Sequence, residues 1–273
     1  MSFGYDMRSV APTVCEILGV RPPKFVEVRP ITEAINTMGQ LRRLTVVVID
    51  ALGVSTWSAL RMETPTLNAL ANRHLIHIHS VMPTITPVNF ATMVTGADPL
   101  NHGIRERTQD IGLETVFDVL RKRGFSSGTA ARALSSLGIL ISPHTDQPGI
   151  AESNNDEEVK ILALKALLRG VELLWVQLLD VDDAGHHHGP LSPQGASAVN
   201  KADHHLRMIA VEAWRQRYGL IVLADHGQHV VLDEKGNKRG SHGSSSDEDT
   251  YVPFIWATSE EIGDSLGLSR GNM

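Results

Sequence analysis

Three apolar runs in this chain end at acidic residues, and that repetition constrains the fold more than any other feature. Leu44–Ile49 is followed by Asp50, the run 173–179 by Asp180 and Asp182, and the run 219–224 by Asp225 and His226. Short, unbroken, often β-branched apolar runs are how strands read when helices cover both faces of a parallel sheet. The carboxyl ends of such strands open into the loops where α/β proteins place their ligands. Between the runs the spacing is helical: Leu113, Val116, Phe117 and Leu120 recur at i, i+3, i+4, i+7, as do Leu206, Ile209, Ala210 and Ala213. A further helix is expected after an Asn155 cap and up to Arg169, acidic in its first turn and basic later, as the helix dipole favours. The expectation is a three-layer αβα sandwich with a mostly parallel central sheet, a single domain over residues 1–273. Residues 142–155 and 233–249 read as loops, and the hydroxyl-rich run 244–248 as a solvated turn.

Composition narrows the partners. A net charge of -6 offers no field for nucleic acid. Cys15 is the sole cysteine, which excludes an intrachain disulfide and favours a reducing compartment. The opening residues lack a basic segment followed by an apolar one, and no run is long enough to span a bilayer, so cytoplasm is expected, without a membrane partner. Oligomeric state is not legible. Histidine, at 13 residues, matters through its clustering with aspartate.

A divalent-cation site needs carboxylate oxygens and imidazole nitrogens converging from separate elements, because one short segment cannot surround an ion. Four segments offer them. Asp50 is followed by Ala51-Leu52-Gly53, where glycine would permit a tight turn beside an ion; Asp50 reads equally as a helix cap. Asp182 and His186 lie four apart and share one side of a helical turn, while His187 and His188 point elsewhere. Asp225-His226-Gly227 leaves a buried strand; the alternative is a capping Asp beside a hydrogen-bonded His. His242 stands between Gly240-Ser241 and Gly243, a close approach to a site or a flexible loop.

The candidate nucleophile is Thr86. Its hydroxyl is too weakly acidic to attack at neutral pH unless a cation stabilises the alkoxide. Asn89, one turn on, is the candidate donor to a phosphate oxygen as charge grows there. The alternative is Thr86 as a helix cap with Pro87 at the first helical position. The run His74-Leu75-Ile76-His77-Ile78-His79 places His77 and His79 on one strand face, and a structural role is preferred because no acidic partner is nearby in sequence.

In order, these segments resemble the alkaline phosphatase superfamily, specifically its type I phosphodiesterase/nucleotide pyrophosphatase branch. The resemblance covers residues 44–256: a strand-end Asp, then Thr-x-x-Asn leading to Val-Thr-Gly (Thr86, Asn89, Val94-Thr95-Gly96), and Asn101-His102-Gly103-Ile104 after it. Asp-x-x-Gly-His-x-x-Gly-Pro follows at Asp182, Gly185, His186, Gly189 and Pro190, then Asp225-His226-Gly227 and Gly240-Ser241-His242-Gly243. The resemblance implies one ion held by Asp182, His186 and His242, another by Asp50, Asp225 and His226, and Thr86 between them as nucleophile and ligand. It implies zinc, with manganese as the alternative, and hydrolysis of a small phosphate ester or nucleotide through a covalent phospho-threonine.

Two departures stand out. Pro87 directly follows Thr86, where the branch commonly has proline two residues on. Residues 9–20 resemble an Ala-Pro-Thr helix that relatives carry near their C-terminus, after the strand matched here by residues 251–256, which implies a circular permutation. Too little chain separates Thr86 from Asp182 for the cap domain of a phosphoglycerate-mutase-like enzyme, and Thr86-Pro87-Val88-Asn89-Phe90 is not a sulfatase nucleophile segment. Phosphodiesterase ranks first. A phosphomonoesterase of the same superfamily and a catalytically silent binding module are the alternatives.

Overall fold

The structure, a computed structural model, describes residues 4–269. In chain order the elements are α1 (Val10–Ile17), α2 (Thr32–Met38), β1 (Leu44–Ile49), α3 (Val54–Ala59), α4 (Pro65–Ala71) and β2 (Leu75–His79). Then come α5 (Thr86–Thr95), α6 (Pro99–His102), α7 (Val116–Lys122), β3 (Ser127–Arg132), β4 (Gln147–Ala151) and α8 (Asp156–Arg169). The chain continues with β5 (Leu173–Leu178), α9 (Asp180–His188), α10 (Pro193–Arg215), β6 (Gly219–Leu223) and the hairpin β7 (His229–Leu232) and β8 (Lys238–Ser241). It ends with α11 (Asp247–Thr250), β9 (Tyr251–Ala257) and α12 (Ser259–Leu266).

Seven strands form one sheet in the order β2-β9-β6-β1-β5-β3-β4, with β9 antiparallel to both neighbours and the other pairs parallel. Every residue of β1, β5 and β6 is buried, as expected for strands covered on both faces. The apolar runs therefore occupy the middle of the sheet. Right-handed crossovers explain the two helical layers. Connections moving towards β2, through α4, α8, α9 and α10, fall on one face, and the connection moving the other way, through α5 and α7, on the opposite face. The packing shows that division: α10 touches α4, α8, α9 and α12, whereas α5 touches α1 and α7.

The register brings the strand ends level. Leu44 pairs with both Leu173 and Gly219, so Asp50, the start of α9 and Asp225 emerge at one edge. Asp50 N–H still donates to the Leu178 carbonyl at 2.9 Å. The helices expected around Val116 and Leu206 are α7 and α10, and Asn155 caps α8 by accepting from the Glu158 amide.

Two expectations are corrected. The segments 142–155 and 233–249 are not wholly loop. The first contains β4, an edge strand that tolerates Pro148 because its free side needs no ladder hydrogen bond. The second contains β8, which delivers His242. The permutation, which needs neighbouring ends, is not met. α1 lies with α2, α5 and α7, and α12 lies with α4 and α10, so the described ends occupy opposite layers. They also sit at opposite ends of β2, Gly4 beside His79 and α12 joined to His74 through Glu261. No helix of the described residues is long and apolar enough to cross a membrane.

The Asn101-His102-Gly103 segment serves stability. His102 is buried, its Nδ1 accepts from the Ile104 amide at 3.0 Å, and its Nε2–H thereby donates to Thr92 Oγ1 at 3.0 Å. Burial pushes its pKa down to about 4. The unfolded chain, titrating near the ordinary value of ~6.5, binds the proton first. The contribution of neutral His102 is thus complete above ~6.5 and lost as pH falls towards about 4, at most about 3 kcal/mol. Urea midpoints at pH 7 and 4.5 should differ less in His102→Gln than in wild type; an equal difference contradicts this.

Candidate metal centre

The site is built at the level edge of the sheet. Asp50 leaves β1 through a turn in which Ala51, not Gly53, takes the left-handed conformation, φ 61°. A non-glycine residue there stores strain, a feature that gathers at functional sites. It is held because the Ala51 amide donates to Asp225 Oδ1 at 3.3 Å. Gly53 serves a different need from the tight turn expected of it: a Cβ on it would lie 2.6 Å from the Gly227 Cα, so the segments after Asp50 and Asp225 pack backbone to backbone.

Asp182 and His186 project from α9, whose start is fastened from below. Buried Arg132, at the end of β3, binds Asp156, Asp180 and Asp183, and Asp156 also accepts from the Asp180 amide at 2.8 Å. His242 follows β8 and is clamped to the segment before Thr86: its Nδ1 donates to the Thr84 carbonyl at 2.9 Å, and the Gly243 amide donates to Thr84 Oγ1 at 3.0 Å.

Two triads result, Asp182–His186–His242 and Asp50–Asp225–His226, each with one ligand atom per residue within 4.8 Å of the others. They adjoin through the stacked rings of His226 and His242, 3.9 Å between centroids. All three histidines spend Nδ1 on a carbonyl: His186 on Gly240 at 3.0 Å, His226 on Gly227 at 3.0 Å, and His242 on Thr84. That outer hydrogen bond fixes the tautomer and turns the Nε2 lone pair inward, as in metal-ligating histidines.

The electrostatics call for positive charge. Asp50 Oδ1 and Asp225 Oδ2 are buried without a hydrogen-bond partner. Each lies close to His226 Nε2, at 3.5 and 3.4 Å. His186 Nε2 and His242 Nε2 face each other at 3.1 Å, a contact between two lone pairs unless a proton or cation joins it. Burial, then Asp225, hold the Asp50 pKa well above the ordinary carboxylate range, and burial also raises that of Asp225. Burial would raise Asp182 too, but the surrounding imidazoles, His186 first among them, outweigh it and lower its pKa. Asp182 at its side raises the pKa of His186, while burial brings His242 down to about 4. Orphaned carboxylate oxygens beside inward imidazole nitrogens are a donor set that fits divalent cations.

Thr86 is the first residue of α5, and the cap position is Ile85, with no side-chain cap. The hydroxyl is therefore free of the capping role and meets His226 Nε2 at 3.1 Å.

The description of the type I phosphodiesterase / nucleotide pyrophosphatase family matches residues 44–110 and 108–239. The chain belongs to this family. Venom phosphodiesterase 2 of Crotalus adamanteus is 26% identical over 210 residues, 65% of this chain and 25% of that protein. A venom phosphodiesterase of Naja atra is 28% identical over 211 residues, with shares of 65% and 25%. The chain spans about a quarter of the length of these curated relatives. Among solved structures, murine ectonucleotide pyrophosphatase/phosphodiesterase 5, an inactive form in complex with AMP, superposes with a TM-score of 0.62 at 15% identity, covering 84% of this chain and 96% of that one. The C-terminal periplasmic domain of EptC from Escherichia coli, in complex with Zn, gives 0.58 at 15% identity, covering 84% and 76%. The fold is thus that of the alkaline phosphatase superfamily.

Within this site, one expected residue stands differently. Asn89 is fully buried, its Oδ1 accepting from the Val81 amide at 2.9 Å and its Nδ2 donating to the Val81 and Ile85 carbonyls at 3.3 and 3.2 Å. Its amide is committed to the backbone leading into Thr86, so it braces that segment and leaves no donor over for a phosphate oxygen. Two residues escaped the sequence reading, Gln177 and Gln228, which donate to Asp50 Oδ2 at 2.5 Å and Asp182 Oδ1 at 2.6 Å. A polar residue inside the apolar run 173–179 was the available signal for Gln177. His187 turns to the Asp183 carbonyl, away from both triads. His74 binds Glu261 at 2.7 Å and stacks on Trp256, and His79 packs on Tyr251; the acidic partner is distant in sequence and the role is packing.

Proposed function

We propose that this chain hydrolyses phosphoric diesters, with nucleotide-like esters as substrates, through a covalent phospho-threonine on Thr86 and two divalent cations, zinc first and manganese as the alternative. The observation that carries the reading is the Thr86 hydroxyl directed at the inward nitrogen of His226, inside a buried cluster of partnerless carboxylate oxygens. Similarity to phosphodiesterases, to an AMP-bound structure and to a zinc-bound one supports the substrate class and the metal.

Asp182, His186 and His242 would hold one cation, and Asp50, Asp225 and His226 the other. Bound cations supply charge that stabilises an alkoxide and the oxygens of an in-line displacement. The chain does the rest. Thr86 Oγ1 forms a bond to phosphorus as the bond from phosphorus to the leaving alcohol's oxygen breaks, and the proton given up by Oγ1 ends on that oxygen. Water then forms a bond to phosphorus as the Oγ1–phosphorus bond breaks, and one proton of the water restores the hydroxyl on Oγ1. Asn89 and Thr84 keep the segment before Thr86 in place, the latter through the His242 loop.

The test compares an aryl phosphate monoester, a diaryl phosphodiester and an aryl nucleotide ester. Both diesters should show the higher kcat/KM. A clear monoester preference would transfer the assignment to a phosphomonoesterase, and no turnover of any of the three would favour a silent module.

A further inference from the structure

The motif glycines Gly185 and Gly240 stand beside the ligands His186 and His242, and neither has a positive φ. Their surroundings show what they make room for. A Cβ on Gly185 would lie 1.8 Å from Gln228 Oε1, and a Cβ on Gly240 would lie 2.5 Å from the same oxygen. The Gln228 amide is buried between the two segments that carry these histidines. Its other end donates to Asp182, at 2.6 Å to Oδ1 and 3.3 Å to the carbonyl. A carboxylate accepts only from N–H, so the amide orientation is fixed. Gly240 in turn supplies the carbonyl that orients His186.

We infer that Gln228 is a positioning residue for the Asp182–His186–His242 cation site, spacing its three ligand segments and aiming the Asp182 carboxylate. This rests on the proposal that a cation binds there. A neutral donor suits the task. A lysine or arginine would neutralise Asp182 and repel the ion, whereas an amide orients the carboxylate and leaves its charge for the cation.

The experiment uses the full chain and zinc alone, titrated against a competing chelator, in wild type, Gln228→Met, Gln228→Ala, Gly185→Ala and the double variant Gly185→Ala/Gln228→Ala. Gln228→Met keeps the volume and removes the donor. Wild type should bind two equivalents, and Gln228→Met should weaken one of them by about 10–100-fold while the other is unchanged. Metal-free melting supplies the second readout. Gly185→Ala should lower Tm in the wild-type background and have a much smaller effect where Gln228 is alanine, since the obstructing oxygen is gone. Two equivalents in wild type with equal weakening of both in Gln228→Met, or with none, would overturn this inference alone. An equal Tm loss from Gly185→Ala in both backgrounds would also overturn it. A wild-type protein that takes up no zinc would overturn the proposed function together with the role assigned to Gln228.

Discussion

Thr86→Ala should lower hydrolysis of a diaryl phosphodiester by roughly three orders of magnitude or more, with zinc content and Tm close to wild type. The size follows from chemistry: without Oγ1 no covalent intermediate can form, and only direct attack by water remains. The expected innocence towards the fold follows from structure. The first cap position of α5 belongs to Ile85, so the hydroxyl does not hold the helix start, and it meets His226 Nε2 instead. Thr86→Ser, which keeps the oxygen, should retain far more activity than alanine. Burst kinetics with wild type, absent in the alanine variant, would report the phospho-threonine directly. Undiminished turnover in Thr86→Ala would remove this residue from the nucleophile role.

Removal of divalent cations should have the second largest effect, and on two properties at once. Asp50 and Asp225 are completely buried, each with a carboxylate oxygen that lacks a hydrogen-bond partner. Burying such groups is costly unless they are paired or coordinate metal. Exhaustive chelation should therefore abolish turnover and also lower Tm, and zinc should restore both. A site saturated a thousandfold above its dissociation constant contributes about 4 kcal/mol. Asp225→Asn sharpens the expectation. It should lose zinc from one site, yet its metal-free form should be no less stable than metal-free wild type, because the substitution removes a buried charge at nearly constant volume. A Tm indifferent to chelation, with activity intact, would contradict the account.

Much of this was legible in the sequence because the centre of the sheet announces itself. The runs that became β1, β5 and β6 are buried on both faces, so they carry an uninterrupted apolar signal, and the acidic residues at their ends are then out of character. For the α9 pair Asp182 and His186, spacing gave a shared side of a helical turn, and the order of the four segments singled them out as ligand candidates. The periphery was not. β4 contains Pro148 and Gly149, which argue against a strand everywhere except at an edge, where it lies. β8 hides in a polar stretch because its hairpin faces solvent on Lys238 and carries no core. In the site, residue type was visible and orientation was not. Asn89 sits one turn from Thr86 as expected, but its amide turns to the Val81 and Ile85 carbonyls, a choice made by a backbone that bends back over α5. Gln177 and Gln228 were overlooked because neutral amides lack the charge pattern of ligands. Their importance appears only when Asp50 and Asp182, distant in sequence, arrive beside them. Gly53 likewise acts through Gly227, a partner far along the chain, and no local turn rule reports such a contact.

The most direct measurement is anomalous X-ray diffraction at the zinc edge from crystals of the zinc-loaded protein. Two peaks about 4 Å apart are expected, one among Asp182, His186 and His242 and one among Asp50, Asp225 and His226, with Thr86 Oγ1 beside them. A zinc-loaded crystal with no peak at these triads, or with peaks remote from the Thr86 hydroxyl, would contradict the account.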